Sequence, residues 1–353
     1  MTLYYPGQKE GPFGWATCNR HLSAALANHF TLTQDPCADV GFYPIADHEF
    51  NPCEEMRASV KIGYAFFEFP LGAKVADNAK RYDLIFVGST WCQQKLAERG
   101  IASHVLIQGV EYGTFKPAPC LFKDEIDATI EDEPFEFMNP QFRVFSGGKF
   151  EWRKGQDLVI RAFAEFAKEV PEAHLVTAWF NPWPFLVRSM VPAGLRFPHG
   201  DLNIIDITAA NQCALFDLLL TQNGIPHDRC TVLPQLTHSQ LAQEMRSTDV
   251  GLFPNRCEGG TNLVLMEYAA CGRKVVANAK TGHRDIAAAI DYVIECNEDE
   301  NGWAFQTVPK VLDALRLAYQ NRHSPRFADS PRWTWADAAE KVAMAISERY
   351  VKA

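Results

Sequence analysis

The chain has little that would mark it as a redox, zinc, membrane or nucleic-acid protein. Its ten cysteines form no C-x-x-C pair, and no Cys/His cluster has zinc-ligand spacing. Most of them neighbour apolar residues, as Cys230 does before Thr231–Leu233 and Cys271 after Ala269–Ala270, and they read as reduced, buried thiols. No apolar run approaches the roughly 18 residues of a membrane span. The opening MTLYYPGQKEGPFGW has neither a basic n-region nor an apolar h-region, so the expectation is a cytoplasmic protein with at most peripheral membrane contact. Basic charge is in deficit. The 34 Lys and Arg face 43 Asp and Glu, for a formal net charge of -9 and a pI of about 5.6. A wide nucleic-acid surface is therefore not expected. No solenoid-type repeat is present. The first glycine loop, GQKEGPFGW, is not G-x-G-x-x-G, which argues against a nicotinamide dehydrogenase.

What is present fits two globular domains. At 353 residues, 47% hydrophobic and 22% charged, the chain exceeds one ordinary core. Thr2–Tyr5, Lys61–Phe69, Asp83–Val87 and His104–Ile107 read as strands. Helical patterns lie between them: Leu22, Leu26 and Phe30 form one stripe, and Ser89 or Thr90 suits the N-cap of Trp91–Arg99. A second series begins at Phe142–Ser146 and includes His174–Phe180, Cys230–Leu233, Asp249–Phe253, Lys274–Ala277 and Tyr292–Glu295. Helices are expected at 156–169, at Ser239–Arg246 and at Trp333–Tyr350, the last with Thr334 as N-cap. Strands alternating with helices predict parallel sheets, and the fold class is α/β with two doubly wound domains facing a central cleft. The expected divisions are 1–117, an acidic linker over 118–141, a second domain over 142–330, and a closing helix within 331–353 that packs back on the first domain. The Asp/Glu-rich 123–136 is a solvated linker or a docking surface for a basic partner. The stretch 181–211 reads as an irregular surface insertion.

Two stretches carry chemistry. The first is SGGKFEWRKG, where Gly148 and its neighbours allow tight backbone geometry beside Lys149 and Lys154. These lysines are either solvent-facing or a pair that neutralises a diphosphate near a helix N-terminus. The second is EGGTNLVLMEYAACG, from Glu258 to Gly272, following the strand VGLFP. If a helix begins near Thr261 or Asn262, Glu267 lies about two turns in and Glu258 in the loop before it. Glu267 stands in an apolar run, so it needs a partner: ribose hydroxyls, an arginine or a backbone amide. The Gly11–Gly14 loop is an ordinary turn or a place where backbone approaches a ligand.

These two motifs resemble those of GT-B glycosyltransferases, similar to family-4 enzymes, across roughly residues 142–296. The resemblance implies two Rossmann-like domains and sugar transfer from a nucleotide-diphosphate sugar to a hydroxyl, with retention; Lys149, Lys154 and helix-terminal amides suit the charge growing on the leaving diphosphate, so neither metal nor cofactor is expected. The lack of an obvious D-x-D accords with that. It implies that Lys149 and Lys154 hold the diphosphate. Glu258 with the amides of Gly259, Gly260 and Thr261 would hold the sugar, beside Asn262, and Glu267 would hold the ribose. Gly11, Gly14 and Gly148 would line the donor site. Two departures stand out: eight residues rather than seven separate the glutamates, and Gly260 replaces the usual Phe. No position matches the family's catalytic histidine. Glu68, in Phe66-Phe67-Glu68, is the candidate on the acceptor side, ahead of Asp47 and His48. The acceptor is a glycan, a lipid-linked molecule or a small molecule, with no nucleic acid expected. A sugar-nucleotide epimerase and a nucleotide-sugar-binding subunit without catalysis are the alternatives.

Overall fold

The computed structural model describes residues 1–11, 13–118, 142–181, 183–198, 208, 210–326 and 331–351. Most of the expected linker (119–141), including the acidic segment, lies outside the described residues, as do 182, 199–207 and 209 of the expected insertion.

Two six-stranded sheets form the frame. The first contains β1 (Thr2–Tyr4), β2 (Thr31–Thr33), β3 (Val40–Ile45), β4 (Val60–Ala65), β5 (Leu84–Val87) and β6 (His104–Val105), in the order β2-β1-β3-β4-β5-β6. The second contains β7 (Phe142–Gly148), β8 (Ala173–Trp179), β9 (Cys230–Val232), β10 (Val250–Phe253), β11 (Lys274–Ala277) and β12 (Tyr292–Val293), in the order β12-β11-β10-β7-β8-β9. Every pairing in both sheets is parallel. Such strands are short runs of β-branched and aromatic residues because helices cover both faces. Val144, Leu252 and Val276 face one side of the second sheet's core; Phe145, Phe253 and Val275 face the other.

The order of the second sheet reverses between β7 and β10: β8 and β9 continue to one side of β7, and β11 and β12 to the other side of β10. In doubly wound sheets the loops leaving two such strands diverge and open a crevice at their carboxyl ends. Those loops are 149–155 and 254–262, the two stretches picked out by sequence.

Capping fixes several helix starts. The Ser89 side chain accepts from the Cys92 amide, Thr237 forms a capping box with Gln240, and the Asp337 amide donates to Thr334 Oγ1. The closing helix, Trp335–Val351, leaves the second domain and packs Ala338, Val342 and Ile346 against Cys18, Leu22 and Leu26 of the helix Gly14–Leu26. Further bonds join the domains. Ser89 Oγ donates to the Gly259 carbonyl at 2.8 Å, the Thr90 amide to Asp285 at 2.8 Å, and Trp303 Nε1 to the Glu68 carbonyl at 3.0 Å. Among the described residues no helix is long and apolar enough to cross a membrane.

Two sequence expectations are corrected. The strand expected over Lys61–Phe69 ends at Ala65, which frees Phe66, Phe67 and Glu68 to form the loop at its carboxyl end. The described part of 181–211 is not a surface insertion. Pro184–Val187 and a 3-10 turn over Arg188–Ala193 place Val187, Met190 and Leu195 in the second domain's core.

Candidate active site

The cleft between the sheets encloses a cavity of about 340 Å³, reached by Phe66, Glu68 and Gln108 from the first domain and by Lys149, Glu258 and Glu267 from the second. Its floor is built by two loops held at close range. At the end of β7, Gly148 (φ 116) turns the chain, and a 3-10 turn over Trp152–Lys154 ends at Gly155 (φ 73). A Cβ on Gly155 would lie 2.1 Å from the Pro254 carbonyl oxygen, so only glycine permits this approach. The Arg153 carbonyl accepts from the Arg256 and Cys257 amides at 2.7 and 3.2 Å. Arg256 locks the pair with a two-pronged bond to Asp157, 2.7 Å on each arm, and stacks 3.5 Å above the Trp152 ring.

This framework concentrates charge. Lys154 Nζ is 2.6 Å from Glu258 Oε1, and Arg153 Nη1 is 3.1 Å from Glu258 Oε2. Asn255 Nδ2 also donates to Glu258 Oε1, and the Glu258 amide donates to Thr281 Oγ1 at 3.1 Å. Burial alone would raise the Glu258 carboxyl, but Lys154 and Arg153 beside it hold it down at about 2. Arg153 also meets Glu151 at 2.7 Å and, across the cleft, Glu68 at 3.4 Å. Lys149 lies 3.5 Å from Glu151 and 4.9 Å from the Trp183 ring centroid. Burial and then Arg153 push its ammonium below the ordinary lysine value.

The helix Leu263–Ala270 starts at Asn262, which adopts φ 66 and accepts the Leu265 amide on its side chain. A little over one turn on, Glu267 is buried at the cleft wall. Burial, and then the Glu111 charge, raise its carboxyl to about 8, so it is protonated at neutral pH. A protonated carboxyl offers one donor and one acceptor, the complement of a vicinal diol. His283 supports the loop from behind. Its Nε2 accepts from Asn262 Nδ2 and its Nδ1 donates to the Asn278 carbonyl, both at 3.1 Å. Burial, opposed by Glu258, keeps this imidazole neutral with its pKa lowered to about 4.

Of the residues expected at the site, Gly14, Glu68, Gly148, Lys149, Lys154, Glu258, Gly260, Asn262 and Glu267 line the cleft. Gly11, Gly259 and Thr261 do not. Gly11 (φ 123) shapes the turn before the first helix. Gly259 packs against the Phe67 backbone, where a Cβ would come within 2.4 Å, and its carbonyl is taken by Ser89. The Thr261 hydroxyl donates to Met266 Sδ at 3.1 Å, away from the cleft. The glycine at 260 has a steric reason: a Cβ there would stand 2.9 Å from Gln108 Oε1 and 3.4 Å from the Phe66 ring, which fill that space from the first domain. Asp47 and His48 sit outside the cleft lining. Asp47 caps a local turn through the Glu49 and Asn51 amides, and His48 packs on Phe69.

Sequence reasoning did not single out Arg153, His283, Trp15, Phe66 or Trp183. Arg153 was readable only as one more basic residue beside Lys154; its burial among carboxylates is a product of the fold. The aromatic residues form a wall: Trp15 and Phe66 lie with centroids 4.3 Å apart, Phe13 and Trp183 5.3 Å.

Residues 209–314 match a family model described as "Glycosyl transferases group 1". No curated protein matches the sequence. Among solved structures, Anabaena HepE in complex with UDP and glucose superposes with a TM-score of 0.61 at 13% identity, covering 98% of this chain and 99% of that one. Sucrose-phosphate synthase from Thermosynechococcus elongatus gives 0.60 at 13% identity, with 99% and 98% covered. The α,α-trehalose 6-phosphate synthase from Burkholderia multivorans gives 0.59 at 14%, with 94% and 75% covered. At these identities the likeness concerns architecture, and that architecture is GT-B: two Rossmann-like domains facing one cleft.

Proposed function

We propose that the protein is a glycosyltransferase that moves a sugar from a nucleoside-diphosphate donor to a hydroxyl acceptor, with retention at the anomeric carbon and without a metal at the diphosphate. One observation carries the reading. Lys149 and Lys154 on one loop, and Glu258 and Glu267 on the other, converge at the point where the sheet order reverses. The relatives named above include a complex with UDP and glucose, and the partial family match points the same way.

In this account the diphosphate lies against Lys149 and Lys154. As the bond from sugar C1 to phosphate oxygen lengthens, negative charge grows on the leaving diphosphate, and the two ammonium groups stabilise it in a partly water-excluded site. Arg153 also lines the cleft. It is a positioning residue that fixes Glu258 and Glu151, so that Lys154 is shared between Glu258 and the incoming phosphate. Glu258, held ionised, accepts from sugar hydroxyls. Glu267 binds the ribose diol, and the base occupies the carboxyl ends of β8 and β9, near Phe180 and Leu236. The acceptor enters against Trp15 and Phe66, with Glu68 at the reacting hydroxyl. Retention rests on the motif resemblance. Two lysines supply the positive charge that a divalent ion would otherwise bring to the leaving group.

The direct test is product analysis with a panel of UDP-, GDP- and ADP-sugars. The expected result is slow donor hydrolysis without acceptor, releasing the nucleoside diphosphate and a sugar of unchanged anomeric configuration. An inverted product would overturn retention, and complete silence across the panel would overturn transfer.

A further inference from the structure

We propose that His21, Glu111 and His238 form a zinc-binding site that ties the two domains together at the edge of the cleft. The residues come from three separate segments: the helix Gly14–Leu26, the chain after β6, and the head of the helix His238–Arg246. One ligand atom from each lies within 4.8 Å of the other two, and all three side chains are half-buried. Two imidazoles and one carboxylate form a donor set that suits zinc better than magnesium or calcium, which prefer all-oxygen shells. In a tetrahedral site with bonds of about 2.0–2.1 Å, ligand atoms sit roughly 3.4 Å apart. Closure therefore needs shifts of about 1 Å, within the reach of half-buried side chains.

Each ligand is already oriented by a neighbour. The Thr114 hydroxyl donates to Glu111 Oε2 at 3.0 Å, leaving Oε1 for the ion. His21 stacks on Trp335 at 5.6 Å and 14°, and His238 packs on Phe115 at 5.7 Å. Arg20, exposed on the helix that carries His21, is the nearby cation that opposes the ion. His238 lines the cleft, so the fourth coordination position opens toward it. Zinc here joins the first domain's opening helix to the second domain's wall and limits how far the cleft opens. This role does not depend on the reaction assigned to the cleft.

The test is calorimetric titration of ZnCl₂ into the metal-stripped full-length protein, together with the absorption spectrum of the Co²⁺ form. The expected result is one equivalent bound, with a Kd at least tenfold weaker in His21→Ala and in His238→Gln, and a Co²⁺ spectrum without thiolate charge-transfer bands. The two variants act from different domains, and a melting curve without zinc confirms that each is folded. If one of them does not fold, the other gives the same readout. Absence of binding, binding unchanged by these substitutions, or a thiolate band such as the exposed Cys37 would produce overturns the proposal.

Discussion

Arg153 is buried with three carboxylates around it, Glu151, Glu258 and Glu68, and has the cleft on one side. Removing Arg153 takes away the cation these carboxylates share and leaves only Lys154 beside Glu258 and Lys149 beside Glu151, in a largely buried place. Arg153→Ala should therefore lower stability by about 3–5 kcal/mol in chemical denaturation. Arg153→Lys should restore only part of this, because an ammonium lacks the planar fork that reaches several carboxylates at once. Glu267 makes the opposite kind of prediction. Its carboxyl rises from 4.5 to about 8 on folding, so the native state holds an extra proton between those values. The stability from this group is complete below 4.5 and is lost as pH rises through about 8. Glu267→Gln keeps the shape and removes the titration. Urea midpoints at pH 5 and pH 9 should show the variant gaining on the parent at the higher pH; parallel curves would refute the assignment.

At the scale of elements, the closing helix follows the second domain in the chain and packs on the first. Its Ile346 is fully buried against the first domain's core. Ile346→Ala should cost about 2–5 kcal/mol, read as an earlier loss of first-domain structure on heating. The helix was legible because Thr334 suits its N-cap and the segment after it has a helical pattern. Other elements were less so. β3 contains Gly41 and Pro44, both poor strand signals. It forms because β1 pairs only with Val40 and Gly41, while β4 pairs along its whole length. The helices Gln212–Gln222 and Val308–Gln320 lack the motif context that drew attention elsewhere, although Val311, Ala314 and Leu315 of the second face the core. The two site loops were legible since glycine, lysine and glutamate at fixed spacing announce a chemistry. The interdomain partners were not: Phe66, Gln108 and Glu68 meet Gly260 and Arg153 only after both domains fold, and no local pattern records that meeting.

For the whole molecule, the account rests on the second sheet's switch-point crevice, faced by the first domain, holding one ligand. A donor bound by loops of the second domain and covered by the first should stabilise the native chain by about 2.7 kcal/mol at 100 times its Kd, and so raise the melting temperature. On the proposed reading its charge would be met chiefly by Lys149 and Lys154, and Lys154 is already engaged by Glu258 at 2.6 Å. Because Arg153 still holds Glu258 when Lys154 is removed, Lys154→Ala should weaken the diphosphate site without unfolding the protein. Calorimetric titration of UDP, GDP and ADP into the parent and into Lys154→Ala tests this most directly. The account predicts that one of the three binds the parent, and binds the variant at least tenfold more weakly while a melting curve shows the variant still folded. Equal affinity in both proteins, or no binding of any nucleoside diphosphate to the parent, would contradict it.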